Sequence, residues 1–111
     1  MPPLVPNIAA LQPSPEVKPM RASRIQGLTV VNTIVAHDVA VSSIALHPDG
    51  ETVASVGDDG MLKHWTLPSG QLDQAVSAHR DWVANVRFNQ QGTILATASG
   101  DSSVRLWDAV T

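Results

Sequence analysis

At 111 residues, 43% of them hydrophobic and 15% charged, the chain has room and apolar material for one small domain. Its 7 Lys and Arg against 10 acids, a formal net charge of −3, argue against a nucleic-acid module, which clusters cations to displace phosphate counterions. Cysteine is absent, and with it any disulfide framework, thiolate nucleophile or metal site built on sulfur.

The chain divides near residue 28. Six of the eight prolines (Pro2, Pro3, Pro6, Pro13, Pro15 and Pro19) precede that point, and their fixed φ and missing N–H suit neither a helix nor an inner strand. Residues 1–27 therefore read as a proline-rich linker or extended segment, with groove binding through Leu4, Val5, Ile8 and Leu11 as the alternative. The early prolines and the lack of a basic start do not suit a signal peptide, and no apolar run reaches the roughly 18 residues that cross a bilayer. A soluble protein of the cytoplasm, with no membrane partner, is the expectation.

From Leu28 to the C-terminus, short β-branched runs alternate with Asp49-Gly50, Asp59-Gly60, Ser69-Gly70, Gln91-Gly92 and Gly100-Asp101. Breaks about 10 residues apart suit antiparallel strands and leave no room for helices between them. The predicted strands are Thr29–Val35, Val39–Leu46, Thr52–Val56, Leu62–Thr66, Leu72–Val76, Val83–Asn89, Ile94–Ala98 and Val104–Asp108. The charge balance also shifts: residues 37–111 carry 4 basic and 9 acidic side chains.

The strands repeat at 42 residues without a gap, residues 37–66 onto 79–108. Only six of the 30 aligned positions are identical, but they include His37/His79, Gly50/Gly92, Asp59/Asp101 and Trp65/Trp107. Inward aliphatic residues on such strands cannot bury both faces of a lone unit, so units must stack, with Trp65 and Trp107 filling the space between sheets. An indole placed there needs a partner for its N–H. The spacings suggest two hydrogen-bonded networks that rigidify their units, His37–Ser55–Asp59–Trp65 and His79–Thr97–Asp101–Trp107.

A catalytic reading of the same residues is weaker. His37, Ser55 and Asp59 are the residue types of a hydrolase triad, but no Gly-x-Ser-x-Gly elbow is present, and a single active site would not recur with Thr97. His37, His47, His64 and His79 contain no close pair, so no metal site is expected, nor any cofactor, since no Gly-rich phosphate loop is present. Asp58 and Asp59 read as turn residues with diverging side chains.

The endings Val104-Arg105-Leu106-Trp107-Asp108 and Leu62-Lys63-His64-Trp65-Thr66, each with a His about 28 residues before its Trp, resemble WD repeats. Ala36-His37 and Ala78-His79 stand where the family has Gly-His, and Trp65-Thr66 where it has Trp-Asp. The resemblance covers residues 28–111 and implies an all-β, open portion of a β-propeller, about two blades, acting as a non-enzymatic protein-interaction scaffold. It also implies that Thr29–Val35 is the outer strand of a further blade. Two blades cannot close a ring of typically four to eight, so a longer chain or another subunit is expected to supply the rest; the expectation is that this chain is part of a longer protein.

The wording from Ala36 to Pro48 and from Ala78 to Val83 is similar to the WD-repeat proteins of the axonemal central pair, the sperm-associated antigen 16 type. That resemblance implies a central-apparatus component of motile cilia and flagella, needed for motility, on the microtubule cytoskeleton of the axoneme. Its partners would be other central-apparatus proteins and tubulin. The alternatives are a soluble WD-repeat adaptor such as a substrate receptor and, less favoured, a hydrolase with a blade-top site. Partner contact is assigned to Arg80, Trp82 and Arg87, because Trp and Arg are frequent interface hot spots and Trp82 aligns with Ala40, so the repeat does not require it. The competing reading is that Trp82 covers the blade edge.

Overall fold

The computed structural model describes residues 27–110, so of the proline-rich segment 1–27 only Gly27 falls among the described residues. Seven strands follow one another: β1 (Val41–Leu46), β2 (Thr52–Gly57), β3 (Met61–Thr66), β4 (Gln71–Ser77), β5 (Val83–Phe88), β6 (Ile94–Ser99) and β7 (Val104–Asp108). They form two antiparallel sheets, ordered β1-β2-β3-β4 and β5-β6-β7, with each strand beside its neighbour in sequence. Connections are short because Gly50 and Gly92, both at positive φ, close equivalent hairpins that an L side chain would strain. Their amides are received by His47 O at 2.9 Å and Asn89 O at 3.0 Å.

The 42-residue period survives at the level of register. Ile44 faces Ser55 as Val86 faces Thr97, and Val53 faces Trp65 as Leu95 faces Trp107. Even the irregularity in the first strand recurs, between Val41 and Ser43 and between Val83 and Asn85.

Alternation along the strands decides which residues meet. Ala54, Val56 and Leu62 project from one face of the first sheet and join Val83, Val86 and Leu95 in a single core, against which Phe88 and Trp107 pack. Thus Trp107 lies between the two sheets. Trp65 does not: three residues along β3 from Leu62, it is buried on the opposite face of the first sheet, with Lys63 Nζ 6.0 Å from its ring centroid. The sheets also meet at their first strands, where Ser42 Oγ donates to Val83 O, and Ser43 Oγ donates to Asn85 Oδ1 at 3.0 Å.

One predicted strand is not a strand. Thr29–Val35 has the β-branched composition but forms no ladder, and Val30, Val31 and Val35 are exposed. A strand exists only where a neighbour supplies hydrogen-bond partners, and among the described residues none does. The second predicted strand also begins at Val41 rather than Val39, because Ala40 O accepts the Asp58 amide at 3.0 Å and belongs to the loop.

Candidate functional site

Each repeat gathers four polar side chains from four separate elements. In the first repeat they come from the loop before β1 (His37), the middle of β2 (Ser55), the β2–β3 turn (Asp59) and the end of β3 (Trp65). His37 Nδ1 lies 3.1 and 2.9 Å from the two Asp59 oxygens, its Nε2 lies 2.9 Å from Ser55 Oγ, and Trp65 Nε1 donates to that Oγ at 2.9 Å. A carboxylate only accepts and an indole only donates. In the neutral ring, therefore, Nδ1–H donates to Asp59, and the Ser55 hydroxyl donates to Nε2 while accepting the indole N–H.

The second repeat reproduces the arrangement. His79 Nδ1 is 3.0 Å from Asp101 Oδ2, Nε2 is 2.7 Å from Thr97 Oγ1, and Trp107 Nε1 donates to Thr97 Oγ1 at 3.0 Å.

The carboxylates anchor turns as well as rings. Partial burial raises the Asp59 pKa, but the Met61 amide at 3.0 Å, His37 and Lys63 outweigh it, so the carboxyl sits below its ordinary value. The Ser103 hydroxyl, donating at 2.5 Å, is the main influence on Asp101; it overcomes the opposing effect of burial and, with His79 and the Ser103 and Arg80 amides, holds Asp101 well below the usual carboxylate range.

Sequence reasoning misses a fifth member of each set. Lys63 Nζ donates to Ala36 O and Arg105 Nη1 donates to Ala78 O, both at 2.8 Å, tying the residue before each His to the third strand. The signal is present as a basic residue two positions before each Trp. His47 enters the sequence reading only as a metal candidate, whereas its Nε2 donates across to Gly92 O at 3.1 Å and its ring meets Phe88 edge-on at 5.0 Å between centroids. Among the described residues, no three His or acidic side chains converge as a metal cluster would.

The Asp–His–hydroxyl order matches that of a nucleophilic triad, and the surroundings decide its chemistry. Ser55 is 2% exposed and its oxygen is held between the imidazole and an indole N–H, so an incoming carbonyl carbon would find no access to it. Thr97 is equally buried, with the same two partners.

The partner-contact residues fall in two places. Arg80 and Trp82 share the loop between β4 and β5. Trp82 remains 46% exposed although its indole lies over Gly100, where any Cβ would overlap the ring. The first repeat has Ala40 and Asp58 at these two positions, so the ring and the space for it arise together. Arg87, next to inward Val86 on β5, projects from the opposite face of its sheet and does not join them.

Two stacked antiparallel sheets, each fastened by a buried Asp–His–hydroxyl–Trp chain, define a propeller-type repeat protein of the interaction class. The chain belongs to the WD40 family (WD domain, G-beta repeat), whose model matches residues 28–66 and 70–108. It is 34% identical over 89 residues to the nuclear distribution protein PAC1 of Arthroderma benhamiae, covering 78% of this chain and 19% of that protein. It is 37% identical over 71 residues to the periodic tryptophan protein 2 homolog of Schizosaccharomyces pombe, covering 63% of this chain and 8% of that protein. The chain thus spans about a fifth or less of these relatives' length. The solved structure of U3-55K superposes with a TM-score of 0.66 at 18% identity over 68% of this chain and 25% of that one, a likeness of fold alone.

Proposed function

We propose that the chain serves as a non-enzymatic protein-interaction scaffold, two blades of a propeller, working in the central apparatus of motile cilia and flagella. The observation that carries the scaffold reading is the duplicated, sealed network. The His, hydroxyl and Asp side chains of both repeats hold strands together, and the exposed surface includes a seated tryptophan, two arginines and apolar sheet faces. Such groups bind protein surfaces. Arg80 and Trp82 are the contact residues on the loop side, and Arg87 belongs to the outer sheet face.

The ciliary setting is supported by the wording of residues 36–48 and 78–83, with central-apparatus proteins and tubulin as partners. The 34% identity to a nuclear distribution protein favours a second setting, a scaffold in nuclear distribution outside the axoneme. An antibody against residues 37–108, applied to detergent-extracted axonemes beside the soluble extract, separates the two. A band confined to the soluble lane removes the ciliary setting and leaves the scaffold reading, which is tested by Trp82→Ala: retention of every partner at unchanged affinity assigns Trp82 to covering the blade edge.

A further inference from the structure

Trp82 is fastened in place by side chains that only the second repeat has. Against the residues 42 positions earlier, Trp82 stands where the first repeat has Ala40, Gly100 where it has Asp58, Ser99 where it has Gly57 and Asp81 where it has Val39. Each difference serves the ring. Gly100 leaves the space that any Cβ would take from the indole. Trp82 O accepts the Gly100 amide at 3.0 Å, as Ala40 O accepts that of Asp58, and in addition the Ser99 hydroxyl at 2.8 Å. Asp81 Oδ1 accepts the Trp82 amide at 2.8 Å. The backbone is thus fixed on both sides of a side chain that stays 46% exposed, so little freedom is lost when a partner covers it.

The surroundings of the ring have a sign. Asp81 holds its carboxylate at the Trp82 amide, and the turn carrying Asp58 and Gly60 lies against the same loop: Gly60 O accepts the Ala78 and His79 amides at 3.0 and 3.2 Å, and a Cβ on Gly60 would stand 3.1 Å from Asp81 O. Asp58 and Asp38 are exposed at this end of the strands. Lys63 and Arg105 are committed to Ala36 O and Ala78 O, so among the described residues Arg80 is the one cation here without such a tie. Exposed carboxylates in excess over cations favour a positively charged ligand. The indole does so too, since its face carries the negative part of the ring quadrupole and Trp holds cations better than Tyr or Phe does. Phosphate-bearing polymers and anionic membrane surfaces are repelled.

We propose that Trp82 receives a Lys or Arg side chain from an exposed segment of a partner protein, the cation lying over the indole with Asp81 and Asp58 beside it. This rests on the reading of Trp82 as a contact residue and states what it contacts. Arg80, two residues from the ring in sequence, opposes a second positive charge, so the segment recognised carries a single cation rather than a basic run.

Three tryptophans give three indole N–H signals in a nitrogen–proton NMR spectrum, and those of Trp65 and Trp107 belong to the two networks. The full chain is titrated with the blocked peptide acetyl-Gly-Gly-Arg-Gly-Gly-amide and with its citrulline counterpart, which keeps the shape and loses the charge. The arginine peptide should shift the Trp82 signal saturably, leave the other two in place, and bind about tenfold more tightly than the citrulline peptide. Asp81→Asn, which keeps an acceptor for the Trp82 amide, and Asp58→Asn should each weaken binding about twofold to threefold, and Arg80→Ala should strengthen it about twofold. Glu51→Gln removes the same charge at the opposite end of the strands and should leave binding unchanged. Trp82→Ala, followed on the Gly100 amide, should abolish it. Equal affinity for the two peptides overturns the proposal, as does unchanged affinity in Trp82→Ala, an effect of Glu51→Gln as large as that of Asp81→Asn, or a Trp82 signal that stays fixed at every peptide concentration. The contact reading itself fails only if Trp82→Ala keeps every cellular partner; a partner lost from that variant, beside a fixed indole signal, means a contact of another chemistry.

Discussion

The first and second repeats share their register, their bulge and their hydrogen-bonded network, yet the same positions lie in different environments. Leu62 is in the core while Val104, its counterpart, faces outward, and Val86 is buried while its counterpart Ile44 is exposed. The first sheet has a fourth strand, whereas among the described residues the second has no strand beyond β7 and nothing stacked on its Val104 face. Local structure within a blade therefore follows from the repeat, whereas burial follows from what stacks on it.

The largest effect expected from this difference is in the core. Leu62→Ala should cost about 2 to 5 kcal/mol, and Val104→Ala no more than about 0.5 kcal/mol, in denaturant unfolding of the same chain. Equal losses would mean that the repeats are energetically alike and that stacking does not set burial.

Removing the hydroxyl at the centre of each network comes next. Ser55→Ala leaves a buried imidazole nitrogen and an indole N–H without partners and should cost about 1 to 3 kcal/mol. Thr97→Val should fall at the low end of that range, because the half-buried Trp107 has better access to water. Thermal unfolding of the two variants checks the order.

Acid should then separate the carboxylates. A carboxyl whose native pKa is depressed stabilises the fold above the unfolded value of about 4 and loses that contribution as pH falls through the native value. Asp59 and Asp101 are both lowered, Asp101 further, so stability should decline below about pH 4, and Asp101→Asn should flatten that decline more than Asp59→Asn. Unfolding midpoints measured between neutral and strongly acidic pH decide it.

The smallest contrast lies in the turns. Ser102 has φ 73° where the first repeat has Gly60 at φ 79°. Ser102→Gly should stabilise by about 0.5 kcal/mol through relief of the left-handed conformation, seen as a slightly raised melting temperature. Gly60→Ala should destabilise instead, since its Cβ would stand 2.6 Å from His79 O.

Much of this is legible in advance because it repeats. His, Ser or Thr, Asp and Trp at constant spacing on strands of constant length can satisfy an indole N–H and an imidazole in one way, so the two networks can be written from the sequence. The basic residues Lys63 and Arg105 escape such a reading because their targets, Ala36 O and Ala78 O, are backbone atoms that no sequence motif marks. Thr29–Val35 reads as a strand from composition, but composition does not supply a ladder partner. Arg87 groups with Arg80 and Trp82 by proximity in the chain, and strand alternation turns it to the other face.

By itself the sequence determined seven of the strands, their turns, the 42-residue period and the His, hydroxyl, Asp and Trp of each network, because these depend on backbone preferences and hydrogen-bond partners within one repeat. Only the tertiary structure decided that Trp107 rather than Trp65 lies between the sheets, that Trp82 rests on Gly100, and that residues 29–35 and the outer edge of β7 have no strand paired to them among the described residues. Those outcomes depend on which surface a blade meets, and a repeat unit carries the same surfaces whether or not anything is stacked against them.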